Sequence, residues 1–108
     1  MKTVPLVTVL AAVGATSCGQ KPVSYAEARS IIDLRCVECH SSQPTNRAFP
    51  FAVMGVKLDT PQQMRQYASR IKARVVVEQT MPIANMSGMT DEERQILDRW
   101  VESGAKIP

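Results

Sequence analysis

Aromatic side chains are scarce in this sequence: one Trp, two Tyr and two Phe among 108 residues. A short chain with so few large side chains has little of its own from which to build a core. Histidine is scarcer, with His40 alone, which excludes a metal site built on several imidazoles. Three cysteines, an odd number, cannot all pair within one chain. No run reaches the ~20 apolar residues that span a bilayer. Charge of one sign is lacking too. The balance is 13 basic against 10 acidic residues, net +3, with the basic ones scattered. That excludes a strongly basic nucleic-acid binder and an acidic disordered chain. No acid–base pair or activated nucleophile is evident, so nothing here reads as an enzyme.

Residues 1–17 have the layout of a secretory signal. Lys2 gives a positive start, an apolar run from Val4 to Ala15 follows, and small residues close it. Ala15-Thr16-Ser17-Cys18-Gly19 resembles the lipobox of bacterial lipoproteins. By that resemblance Cys18 is lipidated and becomes the first mature residue, a two-chain membrane anchor that also accounts for the odd cysteine. Ordinary cleavage nearby, leaving Cys18 as a thiol, is the alternative. Residues 18–23 read as a tether, and 24–108 as one domain.

Three helices and two loops are expected in that domain. Ser24-Tyr25-Ala26-Glu27 is a capping box, with Ala28, Ile31 and Ile32 at helical spacing behind it, so a helix is predicted over 25–38. Residues 41–59 hold Pro44, Pro50 and Gly55 and form a loop, extended over Gly55 to Leu58. A connection this long implies that it wraps something. Thr60-Pro61 starts a second helix, whose apolar face is Met64, Tyr67, Ala68, Ile71 and Val75. The β-branched run Val75-Val76-Val77 weakens its end. Thr80 to Met89 is loop again. Thr90-Asp91-Glu92-Glu93 is a second box, opening a helix with Ile96, Leu97, Trp100 and Val101 on one face and Gly104 as its stop.

Cys36-Val37-Glu38-Cys39-His40 carries the chemistry. C-x-x-C-H is the spacing of c-type haem attachment. Two thiols three residues apart face one side of a helical turn, where both can reach the vinyl groups on one porphyrin edge. The adjacent imidazole then meets the iron. A haem would also supply the apolar surface that the chain lacks. A structural zinc site needs a fourth ligand beyond Cys36, Cys39 and His40. A thioredoxin-like motif needs a βαβ setting that is missing. A Cys36–Cys39 disulfide is the plain alternative.

With no second histidine, methionine is the expected sixth ligand. The candidates are Met54, Met64, Met81, Met86 and Met89. Met64 lies on an apolar helix face and reads as core. Met81 is selected, because Pro82 stiffens the loop that would carry it over the second haem face. Met86 comes next, and loop packing is the alternative for Met86 and Met89.

These features resemble a small class I monohaem cytochrome c. Gly55-Val56-Lys57-Leu58, Met81-Pro82-Ile83-Ala84-Asn85, Met89-Thr90-Asp91-Glu92-Glu93-Arg94 and Trp100 are similar to the C-terminal cytochrome c domain of bacterial membrane-bound urate oxidases. The likeness covers most of 28–104 and departs over Arg47 to Met54 and at Ile83, where a second proline is common. It implies an all-α fold, with three main helices around one covalently attached haem c. Cys36 and Cys39 would form the thioethers, and His40 and Met81 the axial pair. The first and last helices would pack together near Ile31, Ile32, Leu97 and Trp100. A proline carbonyl, from Pro50 or alternatively Pro44, would orient His40. Asn85 would bond near the Met sulfur or a propionate, or merely cap a turn. Arg70, Lys72 and Arg74 would meet propionates or an acidic partner, or form a solvated face. The function implied is single-electron transfer in the bacterial periplasm, between a redox protein donor and acceptor such as a membrane dehydrogenase or oxidase. The rivals are a haem protein with an open sixth position, sensing gas or turning over peroxide, and a haem-free lipoprotein holding a disulfide or zinc.

Overall fold

The computed structural model describes residues 3–5 and 22–108. Cys18 and most of the expected export signal lie outside those residues. Val23, the last residue of the expected tether, is buried against the core, so packing begins just before the first helix cap.

The caps set the helix starts. Ser24 accepts from the Glu27 N–H at 3.2 Å and opens α1 (Tyr25–Arg35). Thr60 and Gln63 form a reciprocal box at the start of α2 (Pro61–Gln66), with Pro61 in the first turn. Thr90 and Glu93 do the same for α4 (Asp91–Glu102). Each box fills two N–H groups that a helix start leaves free.

Helix α1 is three residues shorter than its sequence predicts. The Ile32 carbonyl accepts from both Cys36 and Val37, at 2.9 and 3.2 Å, which ends the regular ladder at Arg35. The expected second helix is interrupted. Tyr67 breaks it at φ −98° and ψ 11°, α3 (Ala68–Ile71) resumes it, and the chain widens into a π-helical stretch over Lys72–Val77. That stretch contains the β-branched run, whose side chains crowd the turn of an α-helix. The Arg74 carbonyl closes it by accepting from Thr80 and Met81, at 2.8 and 3.2 Å. Helix α4 ends where Gly104 takes φ +106°. There Gly104 donates to Val101 and Ala105 to Trp100, a Schellman stop.

Among the described residues there is no strand, and no helix is long and apolar enough to cross a membrane. The fold is all-α. Helix α1 packs on α4, and α4 also packs on α3 and the π-helical stretch. Ile31 and Ile32 from α1 share one core with Met64, Ile71, Val75, Leu97 and Trp100. Trp100 is fully buried, and its Nε1–H donates to the Lys106 carbonyl at 3.0 Å, so the one large aromatic ring leaves no unmet donor.

Candidate functional site

The C-x-x-C-H segment is a tight turn set on the end of α1. The Cys36 carbonyl accepts from Cys39 at 3.2 Å and from His40 at 2.9 Å. Both thiols and the imidazole are thereby held close to a packed helix. The long loop then wraps this turn, and its backbone supplies three bonds in succession. Asn46 donates to the Glu38 carbonyl at 2.9 Å, Val53 to Cys39 at 3.0 Å and Leu58 to His40 at 2.9 Å. Asp59 fixes the exit from the turn. It accepts from the Ser41 hydroxyl at 2.7 Å and the Ser42 N–H at 2.8 Å, and these bonds hold its carboxyl below the usual range.

His40 is oriented by Val56, whose carbonyl lies 3.2 Å from Nδ1. This corrects the expectation of Pro50 or Pro44. The Leu58–His40 bond brings the returning chain past the imidazole, with Val56 in extended backbone at φ −82° and ψ 120°. Pro50 lies on the exposed outer part of the loop. With the hydrogen on Nδ1 donated to Val56, Nε2 keeps its lone pair for a ligand.

One cleft gathers the candidate residues. A small open cleft, of about 40 Å³, is bounded by the Cys36, Cys39 and His40 turn, by Phe49 and Val53 of the first loop, and by Met81, Pro82, Ile83 and Met86 of the second. Its walls are mostly apolar, with Arg35 and Glu38 as the charged residues on its lining. Cys36 and Cys39 are free thiols. Packing against low-dielectric surroundings pushes the Cys36 thiol up to about 12, and burial beside Glu38 raises that of Cys39.

The methionines separate by position. Met64 is fully buried and Met89 nearly so, both in the core. Met54 stands 90 % exposed at the loop surface, off the cleft. Only Met81 and Met86 of the five candidates line the cleft.

No protein-family model, no curated protein and no solved structure matches this chain.

The loop that carries Met81 and Met86 is held at three points. Arg94, on α4 and buried, donates from Nη1 to the Val75 carbonyl at 2.7 Å and to the Met81 carbonyl at 2.8 Å. Arg35 bonds the Ser87 carbonyl through Nη1 and Glu93 through Nε. Asn85 closes both sides of Met89, accepting from its N–H at 2.9 Å and donating to its carbonyl at 3.1 Å. Asn85 therefore ties a turn and bonds neither the Met81 sulfur nor a group in the cleft.

Neither Arg35 nor Arg94 stands out as a site residue in the sequence, because a charged residue on a helix normally faces water. A signal was present for Arg94. It shares the helical stripe of Leu97 and Trp100, where an arginine must be buried. The basic residues considered for propionates go elsewhere. Lys72 pairs with Asp98 and Glu102 on α4, Arg74 with Glu78, and Arg70 lies over the Tyr67 ring. None of the three lines the cleft. Among the described residues no three His, Cys, Asp or Glu side chains converge as a metal-holding group.

Proposed function

We propose that this protein is an exported electron carrier of the class I cytochrome c type. Cys36 and Cys39 hold one haem c covalently, and His40 and Met81 are its axial ligands. One observation carries the reading. Two thiols, an imidazole with a free Nε2 and a thioether from a distant loop line one apolar cleft. The donor set and the apolar lining suit a c-type haem, which Cys36 and Cys39 would hold and His40 and Met81 would ligate. When bound, the haem supplies a one-electron iron couple, which His/Met ligation sets high.

The chain's own residues do the rest. The Val56 carbonyl fixes the imidazole plane and raises its basicity. Met81 is favoured over Met86 by what holds it. Its N–H bonds the Arg74 carbonyl, its carbonyl is bonded by Arg94, and its side chain is partly buried, whereas Met86 is 63 % exposed. Phe49, Val53, Pro82 and Ile83 give the cleft its apolar lining. The activity proposed is transfer of single electrons. Its partners are then a redox protein donor and acceptor, such as a membrane dehydrogenase or oxidase. Export to the periplasm and a lipid anchor on Cys18 complete the proposal.

The test is an absorption spectrum, oxidised and reduced, of protein made with haem-attachment machinery, repeated on Met81→Ala. The expected result is a c-type spectrum whose weak red sulfur–iron band disappears in the variant. Haem with a band indifferent to Met81 moves the ligand to Met86. Haem with no such band in either protein selects the open-site reading of gas sensing or peroxide turnover. A colourless protein overturns the proposal in favour of a disulfide or zinc at Cys36 and Cys39.

A further inference from the structure

We infer that Arg94 is the positioning residue for Met81, and that its placement in the core serves that task. The inference rests on the haem reading for its functional meaning, but its structural part stands on bonds already described.

An arginine whose residue exposure is 7 % is costly to bury unless its donors are filled. Among the described residues no carboxylate pairs with Arg94. Its bonds go to two main-chain carbonyls, Val75 at 2.7 Å and Met81 at 2.8 Å, both from the single atom Nη1. These carbonyls flank the segment that leaves the π-helical stretch and enters the cleft. The Arg74 carbonyl already takes the N–H of Thr80 and Met81 on that segment. Met81 is thus held at its N–H by the end of one helix and at its carbonyl by another helix. Charge-assisted bonds of this kind are about twice as strong as neutral ones and fix direction as well as distance. Helix α4 is itself locked to α1 through Arg35 and Glu93, so the clamp refers Met81 to the same frame that carries His40. The other side of Arg94 borders a polar cleft with Gln79, Asp91 and Gln95, where water can reach the carbonyls if the guanidinium is removed.

Two roles make different predictions. If Arg94 were only a prop of the core, its removal would lower global stability and every amide would exchange faster together. If it positions Met81, an apolar replacement of similar reach leaves the fold standing, since the two freed carbonyls lie beside the polar cleft and can take water instead. The Met81 segment alone then loosens.

The experiment compares wild type, Arg94→Leu and Arg94→Lys in the haem-loaded protein. Amide exchange at single residues is read by NMR, and added imidazole is titrated against the ferric form as a competitor of the thioether. In Arg94→Leu the Thr80 and Met81 amides should exchange about tenfold faster or more, the cost of one charge-assisted bond, while Ile31 and Ile32 stay unchanged. Imidazole should bind about tenfold tighter for the same reason. Arg94→Lys should restore both readouts, because one ammonium can donate to both carbonyls as Nη1 does. Unchanged exchange at Thr80 and Met81, or an equal rise at Ile31 and Ile32, overturns the inference. If the wild type takes up no haem, the electron-carrier reading falls and the ligand role falls with it. The exchange comparison still decides whether Arg94 clamps the segment.

Discussion

Arg35, the last residue of α1, and Glu93, in the first turn of α4, pair at 3.1 Å although 58 residues separate them in sequence. The same carboxylate accepts from the Thr90 N–H at 2.9 Å, closing its own helix cap. Through Arg35 it also reaches the Ser87 carbonyl on the second loop. One carboxylate therefore joins the end of the helix that presents the thiols, the start of the last helix and the loop that carries the two cleft methionines.

That junction predicts a pH dependence. Burial pushes the Glu93 carboxyl up, but the Thr90 N–H and the Arg35 guanidinium outweigh it and hold it below the usual carboxylate value. A depressed folded-state value contributes stability that is complete at neutral pH and is lost as pH falls through that depressed value. Glu93→Gln keeps the capping geometry and removes the charge. At pH 7 it should be less stable by about 1 kcal/mol, and the gap should shrink at an acid pH where the carboxylate is protonated. Urea unfolding at the two pH values measures it. An equal gap at both would show that the ionised pair contributes nothing.

Asn85 yields a second prediction. It sits in left-handed backbone at φ +48° and holds both polar groups of Met89. Asn85→Ala loses the two bonds and also meets the steric cost of that backbone, whereas Asn85→Gly loses only the bonds. The expected order of stability is wild type, then the glycine variant, then the alanine variant, with the alanine variant lower by about 2 kcal/mol. Chemical denaturation gives the order, and an alanine variant as stable as the glycine one would remove the backbone argument.

Local signals carried furthest from sequence to structure. Ser24, Thr60 and Thr90 cap the helices they precede, and Ile31, Ile32, Met64, Leu97 and Trp100 form the core that their spacing implies. These features depend on neighbours three or four residues away, which a sequence displays directly. The errors arose at long range or from competition. The carbonyl on His40 belongs to Val56 and to neither proline, because loop packing chose it. The second helix breaks at Tyr67 and widens over Val75 to Val77, where side-chain crowding competes with helix propensity. The two arginines that hold the Met81 loop were hidden because charge at a helix position suggests solvent, while tertiary bonds to carbonyls leave no local trace.

The C-terminal turn predicts a sensitivity that its position would not suggest. Ala105 is buried, and the Lys106 carbonyl takes the indole N–H of the fully buried Trp100. Ending the chain after Gly104 removes both and leaves that donor unpaired in the core. The loss should be about 2 kcal/mol, which lowers the melting temperature by roughly 10 °C in a domain this size. Trp100→Phe in the full chain should lose about half of that through the hydrogen bond, in addition to any packing cost. A truncated protein that melts with wild type would show that the Lys106 contact does not contribute.

Alanine replacements of three methionines separate packing from ligation, because each residue occupies a different environment. Met64 is fully buried between helices, so Met64→Ala leaves a cavity and should cost about 2–5 kcal/mol without altering the haem spectrum. Met81 is partly buried in the cleft, and its backbone is fixed by Arg74 and Arg94 independently of its side chain. Met81→Ala should therefore abolish the sulfur–iron band while the apolar core stays intact. Met86 is 63 % exposed at the rim, so Met86→Ala should change stability by less than about 0.5 kcal/mol and leave the band in place. Spectra and thermal melts on the same three samples give six readings. The assignment requires the band to follow Met81 alone and the large stability loss to follow Met64 alone. A band that disappears with Met86 would transfer the sixth ligand to the residue whose backbone Arg94 does not hold, and the ligand-positioning role argued for Arg94 would fall with it.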